Sequence, residues 1–268
     1  MAEHPAVRSL VGGMTIERFR RALGDARDTD HLPPSVDLRR ARDRDALIGW
    51  LRSWGCRHLR LEDHTRTSRA LRRWAIAWAD RIPRAPLASL GPTAIDRAAR
   101  GYEALAATPA AFSARAGGLV EVTFGSTAAS KALYALRPAT CAPWDAPMRV
   151  ALDLGDGADG FARYLELCAD AIRATARRSG IPQRRLPAAL GRPETTAARL
   201  VDEYLWREIT YAGRATRARP QPATPPPSTG SAAPVTKDAS SLARNRTARA
   251  TSSARPIRPS GRSDAHST

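Results

Sequence analysis

The chain has 268 residues, 43% of them hydrophobic, and a net charge of +17 that rests on 41 arginines and only two lysines. Three widely spaced cysteines, Cys56, Cys141 and Cys168, exclude a disulfide framework, a four-cysteine zinc site and an iron–sulfur loop, and they read as buried small hydrophobes in a reducing compartment. The longest unbroken apolar run, Trp74 to Ala79, is far shorter than a membrane span, and the N-terminus has no signal-like apolar stretch, so a soluble cytoplasmic protein with no membrane partner is expected.

Residues 1–13 read as a flexible leader, and Met14 is itself a plausible start. A folded domain is expected over residues 14–212. Its first helix begins at Thr15, a side-chain cap with Glu17 in the first turn, and runs to Leu23. Over Asp43–Trp54 the residues Leu47, Trp50, Leu51 and Trp54 form one stripe that ends at Gly55, a glycine suited to a left-handed helix end. Thr67–Arg81 repeats the pattern with Leu71, Trp74, Ala75 and Trp78. Further helices are predicted over 93–107, 109–116, 126–137, 145–153, 158–178 and 194–210. The run Leu119–Phe124 is the only plausible strand, and one strand makes no sheet, so the predicted fold is all-α, a single multi-helix domain.

Residues 213–268 are rich in Pro, Ser, Thr, Ala and Arg and contain no aromatic residue. Such a segment buries too little apolar surface to offset its ordering entropy, so a disordered basic C-terminal tail is expected. It holds ten basic residues against Asp238 and Asp264, hence +8, which leaves +9 on residues 1–212. A basic domain attracts polyanions, and DNA or RNA is the expected partner, although arginine-rich solvated faces account for the same excess.

Lys131 is the only lysine outside the tail. In a chain that uses arginine almost everywhere, an ammonium group points to chemistry a guanidinium lacks. It follows Gly125-Ser126-Thr127-Ala128-Ala129-Ser130, in which a glycine turn and a Ser126 or Thr127 cap start a helix. The first amides of a helix have no intrahelical acceptor and lie at its positive end, so Gly125, Ser126, Thr127, Ser130 and Lys131 are candidate phosphate-binding residues. Asp145 is placed to cap the next helix, with Pro147 in its first turn. The alternative leaves Ser126 and Asp145 as caps, Trp144 as core and Lys131 as surface. Over 182–206 the spacing suggests a helix-turn-helix in which Arg184, Arg185, Arg192 and Arg199 reach phosphates or base edges. An αα-hairpin closing the domain is its alternative. Cys56, His58, Asp63 and His64 match no standard zinc spacing, and no metal or cofactor is expected.

The pattern Gly125-Ser-Thr-Ala-Ala-Ser-Lys131-x-Leu133, Arg137-Pro138, Pro143-Trp144-Asp145, with Trp50-Leu-Arg-Ser-Trp-Gly-Cys56 and Leu190-Gly-Arg-Pro193, resembles an uncharacterised bacterial family of helical proteins over residues 14–210. More distantly, a glycine turn, a lysine on the following helix and an aspartate opening the next is similar to the helix-hairpin-helix DNA glycosylase superfamily. That resemblance implies Lys131 as nucleophile and Asp145 as the supporting carboxylate. The Leu-Pro-Gly-x-Gly hairpin of that superfamily is replaced here by Thr123-Phe-Gly-Ser-Thr127, and the Lys-to-Asp spacing is shorter.

The sequence therefore favours a non-enzymatic nucleic-acid-binding protein using the Gly125–Lys131 helix start and an arginine surface. A glycosylase or lyase and a protein-interaction scaffold are the two alternatives.

Overall fold

The protein is described by a computed structural model covering residues 4–24, 36–115 and 118–212. In chain order the elements are α1 (Pro5–Val11), α2 (Ile16–Leu23), α3 (Ala41–Ser53), α4 (His64–Trp78), α5 (Pro92–Ala106), β1 (Pro109–Arg115), β2 (Gly118–Thr123), α6 (Gly125–Leu136), α7 (Ala146–Ala151), α8 (Ala158–Ser179), α9 (Leu186–Ala189) and α10 (Ala197–Leu205). A π-helical segment, Trp206–Tyr211, continues α10. The class is all-α, and the two strands make a single antiparallel ribbon. Among the described residues no helix is long and apolar enough to cross a membrane.

The helix α8 is the axis of the domain. Phe161, Tyr164, Leu165, Cys168, Ala169 and Ile172 recur at three- and four-residue spacing, so one stripe of the helix is apolar and fully buried. Against it pack α1, α5 and α10. The helix ends at Gly180, whose φ of +68° is a left-handed conformation that glycine adopts without a Cβ clash, and Arg177 and Arg178 complement its negative end. Tyr102 of α5 stacks on Phe161 at 4.1 Å between ring centroids, and Trp144 meets both Phe161 and Tyr164 at 5.2 and 5.3 Å. This aromatic cluster sits where α5, α8 and the segment before α7 converge.

Several expectations hold at residue level. Thr15 caps α2 by accepting from the Arg18 amide, and Asp145 caps α7 by accepting from the Met148 amide at 3.0 Å. Leu47, Leu51, Leu71, Trp74 and Ala75 are buried, whereas Trp50, Trp54 and Trp78 are only half-buried.

Other expectations are corrected. Residues 5–11 are not a flexible leader: they form α1, which docks on α8 with Leu10 and Met14 in the core. Within the predicted helix 109–116, residues 109–115 form a strand instead. Their alanines favour a helix, but β2 offers a ladder partner, the Asp63 carboxylate takes the Phe112 amide and Thr67 bonds the Ala110 carbonyl, so tertiary bonds override propensity. Neither Ser126 nor Thr127 caps α6, because the helix already begins at Gly125 and Phe124 occupies the cap position with no side-chain bond. The predicted tail, 213–268, lies outside the described residues.

Close packing makes Gly160 irreplaceable in a way Gly49 is not. A Cβ on Gly160 would lie 2.0 Å from the Gly155 carbonyl oxygen, while one on Gly49 in α3 meets nothing within 4 Å. Gly160→Ala is expected to lower the unfolding free energy by about 1–3 kcal/mol, and Gly49→Ala to raise it by roughly 0.5–1 kcal/mol. Urea melts of both variants against wild type check the pair.

Candidate functional site

The entry to α6 is held from two sides. The Phe124 amide donates to the Thr108 carbonyl at 3.0 Å, and a His58 ring nitrogen lies 3.0 Å from the Phe124 carbonyl. Gly125 then turns the chain with φ at +67°, a conformation strained for any residue with a Cβ. No side chain caps the first turn that follows, so its amides keep their positive field.

Polar groups from other elements gather at this turn. From α7, the Arg149 guanidinium contacts the Thr127 hydroxyl loosely, at 3.5 Å, pairs with Asp156 at 2.6 Å and lies 5.4 Å over the Trp144 ring. The Tyr102 hydroxyl donates to the Asp156 carbonyl at 2.7 Å. Burial pushes the Tyr102 phenol up, while Ser126, the charge of Arg149 and Trp144 act in the opposite sense. Trp144 itself is 1% exposed, yet its indole N–H is buried without an acceptor. A buried donor left unpaired costs on the order of 1–3 kcal/mol.

Ser130 does not belong to this donor set. It is fully buried, its hydroxyl lies 3.0 Å from the Thr127 carbonyl and 3.2 Å from that of Trp144, and it accepts from the Trp144 amide at 3.3 Å. It fastens α6 to the segment carrying Trp144, a positioning role rather than the expected phosphate contact.

Lys131 is turned elsewhere. Its Nζ donates to the Trp54 carbonyl at 2.5 Å and lies 5.2 Å over the Trp54 ring. Trp54 packs against Trp50 at 4.2 Å and stacks with Tyr134 at 6.2 Å, and Arg199 lies 4.9 Å over the same Trp54 ring. Asp145, besides capping α7, accepts from the Thr210 hydroxyl at 3.1 and 3.0 Å. No hydrogen bond or ion pair joins Lys131 to Asp145.

The helix-turn-helix spacing resolves into a 3₁₀ turn over Gln183–Arg185, the four-residue α9 and an α10 that buries Leu200, Val201, Tyr204 and Leu205. Arg192 pairs with Glu203, and Arg199 with Asp202 at 2.5 Å, with side chains only 13% and 11% exposed. Their charges are compensated inside the domain, unlike the expected phosphate readers; Arg184 and Arg185 alone of the four are exposed.

Among the described residues no group of three or more His, Cys, Asp and Glu side chains is placed to hold a metal. The three cysteines are free and buried, and burial raises the Cys141 thiol to about 12, which removes it as a nucleophile near neutrality.

Sequence reasoning reached Gly125, Ser126 and Thr127 but missed Tyr102, Arg149 and Asp156, and it took Trp144 only as core. Those residues come from α5, α7 and the following loop, and only the Pro143-Trp144-Asp145 adjacency hinted at them. No known protein family matches the chain, and no curated protein or solved structure is similar to it.

Asp202 gives the cluster a pH signature. Burial outweighs the attraction of Arg199 and pushes its carboxyl up to about 7, with Asp145 and Glu203 adding to the rise. The folded protein thus holds a proton that the unfolded chain, near 3.9, gives up first, so this contribution to stability is complete below about pH 4 and declines as pH rises to about 7. Relative to Asp202→Asn, wild type is expected to lose stability across that window and to show a constant difference above it. Thermal melts of both proteins at stepped pH check the sign.

Proposed function

We propose that the protein binds nucleic acid without chemical turnover, seating a backbone phosphate at the start of α6. The observation that carries this reading is the buried Trp144 indole N–H without an acceptor, beside an uncapped helix start and the Arg149 guanidinium. A phosphodiester offers two non-bridging oxygens, and the Ser126 and Thr127 hydroxyls, the first-turn amides and the Arg149 guanidinium, whose partner Asp156 is exposed where those of Arg192 and Arg199 are buried, are donors suited to them. The +9 charge of residues 1–212 supplies long-range attraction to a polyanion.

The position of Lys131 supports binding over covalent catalysis. Its ammonium is engaged by a carbonyl and a ring face, and the carboxylate that would assist it is bonded to Met148 and Thr210. A nucleophilic lysine needs a free amine beside its helper, and here the Lys131 nitrogen is taken up by the Trp54 carbonyl and ring.

Fluorescence anisotropy with labelled single-stranded and duplex oligonucleotides tests the proposal. Log affinity is expected to fall linearly with log salt concentration, and Arg149→Gln to weaken binding for all sequences and to reduce the salt slope by about one. Thr127→Val is a gentler second variant, and thermal melts confirm that both fold. Lys131→Ala retains affinity, and borohydride treatment with abasic-site DNA leaves no adduct. An adduct that disappears in Lys131→Ala would establish a lyase instead, and no binding at low salt would discard both readings in favour of a protein-interaction scaffold.

A further inference from the structure

A groove of about 770 Å³ opens between the C-terminal half of α8, the 3₁₀ turn Leu87–Ser89 and the start of α10. Its walls are aliphatic, with Leu87, Ile172, Ala176, Ile181, Pro187 and Ala198 prominent. Such a volume lies within the roughly 300–1,000 Å³ of small-molecule sites.

The charge on the groove is one-sided. Arg177 and Arg184 are its only charged lining residues, both exposed, and neither guanidinium makes a hydrogen bond or ion pair among the described residues. This contrasts with Arg192 and Arg199 nearby in sequence, which pair with Glu203 and Asp202. The first residues of α10, Ala197 and Ala198, also line the groove, so the positive end of that helix reinforces the field. No aromatic side chain is present in the lining. A nucleobase would find no ring to stack on, and a neutral apolar molecule would gain nothing from the two guanidinium groups.

We infer that the groove is a binding site for an amphipathic anion, a medium-length alkyl chain ending in an oxyanion that Arg177 and Arg184 hold. Aliphatic walls remove the chain from water, and the arginine forks match the planar carboxylate or the tetrahedral phosphate. The site is separate from the α6 start: none of the groove's lining residues belongs to the Tyr102, Ser126, Thr127, Trp144 and Arg149 cluster.

Calorimetric titration of the full chain with decanoate, decyl phosphate and decanol, each kept below its micelle concentration, tests the inference. At least one of the two anions is expected to bind about tenfold or more tighter than decanol, the gain of one charge-assisted hydrogen bond or better. Decanoate tightest would identify a carboxylate ligand, and decyl phosphate tightest a phosphate ester. The double variant Arg177→Gln with Arg184→Gln, both at exposed positions without partners, is expected to abolish that preference while leaving decanol unchanged. Ala176→Trp fills the groove and is expected to abolish all three. Arg149→Gln leaves the decanoate affinity unaltered, which separates this site from the nucleic-acid reading. Equal binding of decanol and both anions, or anion affinity undiminished in the double arginine variant, would overturn the inference.

Discussion

Burial of the Trp144 indole among Tyr102, Phe161 and Tyr164 is the contact on which the remainder of the architecture depends. It brings α5, α8 and the segment ahead of α7 to one point. Three polar bonds fix that segment: the Ser130 hydroxyl takes the Trp144 amide, Tyr164 donates to the Pro143 carbonyl at 2.8 Å, and Asp145 is held by Thr210. An irregular segment buried this deeply has no neighbouring strand to satisfy its backbone, so side chains from the surrounding helices take that part. The same packing leaves the indole N–H unpaired beside the start of α6. Stability and the candidate site therefore share one residue.

The basic character of the chain divides into two structural kinds. Arg192 and Arg199 lie in pairs with Glu203 and Asp202, and Arg137 reaches the Ala79 carbonyl at 2.8 Å, so these guanidinium groups act as internal connectors between helices. Buried pairs of this kind contribute geometry more than net stability, because desolvation offsets much of their attraction. Arg177, Arg184 and Arg185 stay exposed and carry the field that an anion would meet. Net charge alone treats both kinds alike.

The helical periodicity was legible because an apolar stripe repeated over three or more turns, as in α3, α4, α5 and α8, has few other ways to be buried. Short elements were less so. The helix α1 has seven residues and too little periodic signal, and its burial comes from α8, which lies far along the chain. The strand β1 is alanine-rich, and its state was settled by β2 and by the Asp63 and Thr67 side chains. At the site, the glycine turn was visible because Gly125 precedes a helical run, but Arg149 and Tyr102 were not, since neither lies in the Gly125–Lys131 run.

What the sequence by itself determined was the all-α class, the helical stripes and caps such as Thr15 and Asp145, all of which depend on neighbours within a few residues. Tertiary structure decided the partners: that Lys131 turns to Trp54 rather than to Asp145, that Arg199 turns to Asp202, and that Trp144 lies under Arg149 with its indole N–H unpaired. The division is physical. Local hydrogen bonds and periodic burial are set by residues close in sequence, whereas the direction in which a long polar side chain points depends on which carbonyl, carboxylate or ring the packing of distant helices delivers within its reach.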